Sequence, residues 1–325
     1  MSTDQPPNPS AGYYSHEETV AAITSYYELV QRAHAIARKR DLVYPPPEGW
    51  PQLNDPDVAA GYGYNEDCLK LMRHIPYFEY SEGMQILPDV EPCNYIDKLR
   101  HRIAKETGEY IRRGGDMADS KDSEDSEDSE ERYIPPFLMV LGLIPHEREY
   151  GSSCWVDTKL GEILVGNYHG EDFVNIGEEP DCMDVDPDDH SYDNVFYEYD
   201  QEGQSLAWRI STFFAACERQ LKELEWIPGM SEGEDGRIIQ DETSSFSMLS
   251  MERRKQIMRD NGWPGDNWNP EAARAEVERS LQQICSERSD RSSGPTEETE
   301  ETQETQETQA AQETEERASS RCSLM

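Results

Sequence analysis

Ser152-Ser153-Cys154-Trp155-Val156-Asp157-Thr158-Lys159-Leu160-Gly161-Glu162-Ile163-Leu164-Val165 is the stretch that decides the fold class. Two short runs rich in β-branched and aromatic residues flank a polar turn with its glycine in place, which is the pattern of a β-hairpin. Upstream, Phe137-Leu138-Met139-Val140-Leu141-Gly142-Leu143 is a continuous apolar run of strand length behind Pro135-Pro136. Downstream, Val195–Tyr199 is a fourth strand candidate. Together these segments predict a small antiparallel sheet.

Working outward from the hairpin, the period changes from two to about 3.6. Ser15 to Arg40 reads as a helix, with Ser15 and Glu18 spaced as a capping box and Val20, Ile23, Tyr27, Val30 and His34 on one face. Glu17 and Glu18 stand at its positive end and Arg38, Lys39 and Arg40 at its negative end. Tyr44-Pro45-Pro46-Pro47-Glu48-Gly49-Trp50-Pro51 stops it. Glu66–His74 reads as a shorter helix with Leu69, Met72 and Ile75 inward, closed by Pro76. Tyr77–Tyr80 and Met84–Leu87 read as short extended pieces, and Tyr95–Ile111 as a helix through Ile96, Leu99 and Ile103. Ser205–Trp226 has the stripe of an amphipathic helix: Leu206, Ile210, Phe213 or Phe214, Cys217, Leu221 and Leu224. Ile227-Pro228-Gly229 ends it, and Ser231–Thr243 reads as a polar loop. Met248–Asp260 is helical, and Gly262-Trp263-Pro264 repeats the earlier Gly-Trp-Pro punctuation. Asn269 as N-cap and Pro270 at the first helical position open a last helix to about Ser286, striped by Val277, Leu281 and Ile284. The expected fold is a single α+β domain over 13–286, with several helices packed on a small antiparallel sheet.

The charge is distributed unevenly. The formal net charge is −38, and 26 of the 68 acidic residues fall in Asp116–Glu131, Glu178–Asp193 and Glu297–Glu316. Such acid argues against a nucleic-acid backbone or an anionic membrane surface as partner and favours a basic protein. Composition predicts disorder for 1–12, an acidic insertion at 114–132, an acidic loop at 178–193, a polar loop at 230–247, and an acidic tail at 287–325 built on Glu-Thr-Gln triplets. Ser123, Ser126 and Ser129 lie in an acidic setting that makes them phosphorylation candidates. No apolar run is long enough to span a bilayer. The seven cysteines are scattered and form no Cys-x-x-Cys pair, and the polar N-terminus has no signal-peptide pattern, so the expected setting is cytoplasmic or nuclear.

The sequence nominates no catalytic, cofactor-binding or metal-binding residues. Asp184, Asp186 and Asp188 begin like a calcium loop, but Asp189 and Val195 stand where glycine and a bidentate glutamate belong. Cys182 and His190 have no second zinc-ligand pair near them, and His146-Glu147 is followed by Tyr150 instead of a second histidine. Gly61-Tyr62-Gly63 is half of a dinucleotide loop, with Glu66 at the third glycine. Trp50, Trp155, Trp208, Trp226, Trp263 and Trp268 are read as packing residues rather than a peptide groove. Cys322-Ser323-Leu324-Met325 has the outline of a prenylation box with Cys322 as lipidation candidate, although the upstream residues are acidic and supply no polybasic second signal.

The punctuation resembles that of a group of uncharacterised ascomycete fungal proteins. The likeness rests on Gly-Trp-Pro after the first helix (Tyr44–Pro51), a short helix closed by Pro-Tyr (Leu71–Tyr77), and strands around Asp-Thr-x-x-Gly (Trp155–Gly161). A helix ending Leu-x-Trp-Ile-Pro (Leu224–Pro228) and one running into Gly-Trp-Pro (Ile257–Pro264) complete it. A more distant likeness is to the SUKH superfamily, α+β proteins that act by binding partners. The first resemblance supplies no catalytic residues and the SUKH likeness implies partner binding, so the expected function is a non-enzymatic fungal interaction or scaffold protein. Two alternatives stand beside it: an enzyme or small-molecule binder, for instance in secondary metabolism, and a peripheral membrane protein anchored through Cys322.

Overall fold

The computed structural model describes residues 14–35, 41–55, 63–79, 83–96, 135–143, 151–168, 174–180, 206–230, 236–240 and 248–292. The chain divides into two compact units, Met1–Glu278 and Arg279–Met325. Helices α1 (His16–His34), α2 (Glu66–His74), α3 (Ile210–Glu223), α4 (Met251–Asp260) and α5 (Pro270–Ser292) accompany one 3-10 turn, Pro51–Asn54. Strands β3 (Glu91–Pro92), β4 (Leu138–Leu143), β5 (Gly151–Asp157), β6 (Glu162–Tyr168) and β7 (Leu206–Arg209) form a five-stranded sheet in that spatial order. Two short ribbons pair β1 (Leu42–Val43) with β2 (Tyr77–Phe78), and β8 (Ile227–Pro228) with β9 (Ile238–Ile239). Every pairing in these sheets is antiparallel, and the fold is α+β.

The hairpin forms where its sequence placed it. Asp157 Oδ1 accepts from the backbone N–H groups of Lys159 and Leu160 at 2.7 and 2.8 Å, and Gly161 takes the positive φ, +74°, that closes the loop. Thr158 ties the turn to the neighbouring strand, donating through both its N–H and its hydroxyl to Phe137 O. Register then sorts the side chains by face. Met139, Val156, Ile163 and Trp208 form one cross-strand row; Val140, Trp155, Leu164 and Ala207 form the row on the opposite face. Both rows are buried. Phe213 of α3 meets Trp208 of the first row with ring centroids 5.6 Å apart, and Tyr26 of α1 meets Phe214 at 5.5 Å. Residue 141 is the extra residue of a bulge between Val140 and Gly142.

The helices begin as their caps direct. Ser15, Asn65 and Ser250 accept from the third residue on in α1, α2 and α4, and Asn269 accepts from Ala272 N–H in α5. The buried face of α1 is broader than its sequence stripe. Thr19, Tyr26, Leu29 and Ala33 join Ile23, Tyr27, Val30 and His34, while Val20 is half-buried. In α2, Cys68 and Leu71 are buried with Met72, and Leu69 is half-buried.

Several expectations are corrected. Leu206–Arg209 is strand β7, and its helix starts only at Ile210; pairing of Ala207 and Trp208 with Leu164 and Ile163 overrides a helical period that runs unbroken through the sequence. Ile238–Ile239, inside the expected polar loop, pairs with Ile227–Pro228. Tyr95 and Ile96 form a bend, because Asn94 Oδ1 captures Ile96 N–H at 3.0 Å and Tyr95 hydroxyl donates to Val140 O at 2.6 Å. Met84–Leu87 pairs through the isolated bridge Leu87↔Val90. The last helix runs to Ser292. Residues 36–40, 97–111, the insertion 114–132, most of the acidic loop, the strand candidate Val195–Tyr199 and the tail beyond 292 lie outside the described residues.

Candidate functional site

The nominated modification residues Ser123, Ser126, Ser129 and Cys322 lie outside the described residues, as do Asp184, Asp186, Asp188, Cys182, His146 and His190. Among the described residues no group of three or more His, Cys, Asp or Glu is placed to hold a metal ion. No disulfide links the five described cysteines. Burial pushes the Cys154 and Cys217 thiols well above their ordinary range, which keeps them protonated and unreactive.

The two Gly-Trp-Pro motifs resolve into helix-end chemistry. At Gly49-Trp50-Pro51, Gly49 has φ +84° and the buried Trp50 indole N–H donates to Ile75 O at 2.9 Å, at the C-cap of α2. At Gly262-Trp263-Pro264, Gly262 has φ +94° and the buried Trp263 indole donates to Leu221 O at 3.0 Å, in the last turn of α3. A helix leaves its final carbonyls without intrahelical partners. Each Gly-Trp-Pro therefore delivers an aromatic N–H to the C-terminus of a different helix. Leu224, the C-cap of α3, takes the left-handed conformation at φ +66° so that Glu225 and Trp226 N–H groups both reach Gln220 O. Five of the six tryptophans are buried and Trp268 is half-buried.

One buried polar knot has no sequence signature. Gln85 donates its N–H to Gly236 O at 2.7 Å, accepts from Ile238 N–H through Oε1 at 2.8 Å, and donates through Nε2 to Asp89 at 3.1 Å. From α1, His34 Nε2 donates to Gln85 O at 3.0 Å, and Tyr26 hydroxyl donates to Ile86 O. The 84–87 segment thus straps α1 to the β8–β9 ribbon, and its polar atoms are engaged by the fold itself.

An open recess of about 510 Å³ lies at the C-terminal end of α1, lined by Arg32, Ala35, Asp266, Trp268 and Pro270. Its cation is held from below: Arg32 donates to Pro264 O and Gly265 O at 2.8 and 3.1 Å and lies 5.8 Å over the Trp263 ring. Trp268 donates to Arg32 O at 3.1 Å and meets Trp263 edge-to-face at 5.4 Å. The recess is open to solvent, and its guanidinium is already engaged by two backbone carbonyls. A second polar cluster, away from this recess, places His16 of α1 against His74 of α2 with ring centroids 5.2 Å apart. Sequence reading singled out neither, because Arg32 and Trp268 are 236 positions apart from bond to bond and the two histidines sit in unrelated patterns. No described helix is long and apolar enough to cross a membrane. No family model, curated protein or solved structure matches the chain.

Proposed function

We propose that the protein is a non-enzymatic interaction or scaffold protein whose acidic segments engage a basic protein partner. The observation that carries this reading is the concentration of acid in three short segments of the sequence. Acid is concentrated in 116–131, 178–193 and 297–316, while in the described body the motif residues are engaged in holding turns and helix ends. A partner of opposite charge gains encounter rate and specificity from such segments. The resemblance to the ascomycete group points the same way, since the residues that carry it are helix-end and turn devices. The SUKH likeness rests on fold class alone and is an analogy.

Cross-linking of the full-length chain in its native host, followed by mapping of the linked peptides, tests the reading. A stoichiometric basic partner linked through the acidic segments supports it. A chain that co-purifies with a small molecule and shows no such partner refutes it in favour of the enzyme or binder reading, for which the Arg32–Asp266–Trp268 recess is the supporting observation. Peripheral anchoring through Cys322 is a separate proposal supported by the terminal Cys-Ser-Leu-Met. Loss of membrane fractionation on Cys322→Ser supports anchoring; unchanged fractionation refutes it.

A further inference from the structure

The first turn of α1 and the last turn of α2 meet through two imidazoles. His16 and His74 stand edge-to-face, 5.2 Å between ring centroids and 88° between planes. Both are half-buried. His74 Nδ1 lies 2.7 Å from Lys70 O; a carbonyl only accepts, so that nitrogen carries a proton. A side chain at Gly49 would lie 3.4 Å from His74 Nε2, so the Pro46–Trp50 turn backs the ring. On the other side, Tyr14 hydroxyl lies 3.4 Å from His16 Nδ1. Burial, with Cys68, Asp67 and Glu17 nearby, holds the Tyr14 phenol protonated well above its ordinary range, so it stays an O–H donor toward His16.

We propose that His16 is a proton-operated latch set against His74: neutral, it packs on that ring and holds the start of α1 against the end of α2; protonated, it is opposed by its surroundings and releases these two helix ends. Charge at His16 is opposed on several sides. Its burial is the first cause, followed by Lys70 and His74 of α2, and these outweigh Glu17 and Asp67, which favour the cation. The positive end of the α1 dipole acts in the same direction as Lys70. A proton added at Nδ1 also displaces the Tyr14 O–H bond. Because the folded state holds His16 below its ordinary value, the unfolded or opened state binds the proton more readily. The contact is at full strength above about pH 6.5 and is lost as pH falls from there through the folded-state value.

Histidine NMR titration and hydrogen exchange on the full chain between pH 7.5 and 5, windows set by the ordinary histidine value of about 6.5, test the latch. His16 is expected to titrate below that value, and exchange at 16–20 and 70–75, corrected for intrinsic rates, to rise on acidification. The rise should be about tenfold for each unit by which His16 lies below its ordinary value. In His74→Gln the His16 titration should move up, and in the His16→Gln/His74→Gln double variant the local pH dependence should vanish. The wild-type titration needs no variant to fold. A His16 that titrates at or above its ordinary value, or an unchanged pH dependence in the double variant, overturns the proposal.

Discussion

Replacing Trp50 with phenylalanine isolates one hydrogen bond at a helix end. The ring stays apolar and retains its place beside Tyr77, 6.0 Å away between centroids, but the N–H that serves Ile75 O at 2.9 Å is gone. That carbonyl is buried at the C-cap of α2, and leaving it unsatisfied costs about 1–3 kcal/mol. The side chain also shrinks by about 40 Å³, worth about 1 kcal/mol at roughly 24 cal/mol per Å³ of cavity. Trp50→Phe should therefore destabilise by about 2–4 kcal/mol. Trp263→Phe should cost less, about 1.5–2.5 kcal/mol, because Leu221 O keeps a second donor in Leu224 N–H at 3.3 Å. Trp268→Phe is the control. Its indole is half-buried and its acceptor, Arg32 O, is in an exposed setting, so the loss should stay below about 1 kcal/mol. Urea denaturation followed by far-UV circular dichroism reads the midpoints, with an unchanged slope confirming that only stability moved. If Trp50→Phe costs no more than Trp268→Phe, the Gly-Trp-Pro motifs do not work by capping helix ends and the reasoning is wrong.

Adjacent tyrosines on α1 give a sign test. Tyr26 hydroxyl bonds Ile86 O, whereas the buried Tyr27 hydroxyl has no partner among the described residues. Tyr26→Phe should lose about 1–3 kcal/mol in a denaturant melt and Tyr27→Phe should be neutral or stabilising by up to about 1 kcal/mol; equal losses would contradict the assignment. Asp157→Ala removes the acceptor of two backbone N–H groups in the hairpin turn and should cost about 2–4 kcal/mol, with Asp157→Asn retaining part of it by keeping one acceptor oxygen. Thermal unfolding of the two variants side by side decides this, and an alanine as stable as the asparagine would remove the turn from the argument. Gly142→Ala places a Cβ 2.5 Å from Val90 Cγ1 and 2.9 Å from Glu91 O, where backbone cannot yield freely, so a loss of about 1–3 kcal/mol is expected by calorimetry. A wild-type melting temperature would show that β3 is not held as tightly against β4 as its packing indicates.

Local chemistry wrote much of this fold into the chain. Ser15 and Asn269 mark helix starts because short polar side chains reach free N–H groups within three residues. The Asp157–Gly161 turn closes on its own side chain and its own glycine, so the hairpin was legible without knowledge of anything distant. Each of these interactions spans fewer than five residues, and sequence spacing fixes it.

What the tertiary structure decided involves partners brought from far along the chain. Leu206–Arg209 has a helical period, yet β6 offers an open ladder beside it and the strand wins. Ile238–Ile239 becomes a strand only because Ile227–Pro228 lies opposite. Gln85 looks like any polar residue until Ile238 arrives 153 positions later, and the carbonyls served by Trp50 and Trp263 lie 25 and 42 positions away. The recess at Arg32 and the contact of His16 with His74 follow the same rule. Periodicity specifies which face of an element is buried, but which polar atoms meet across that face is set by how the elements pack.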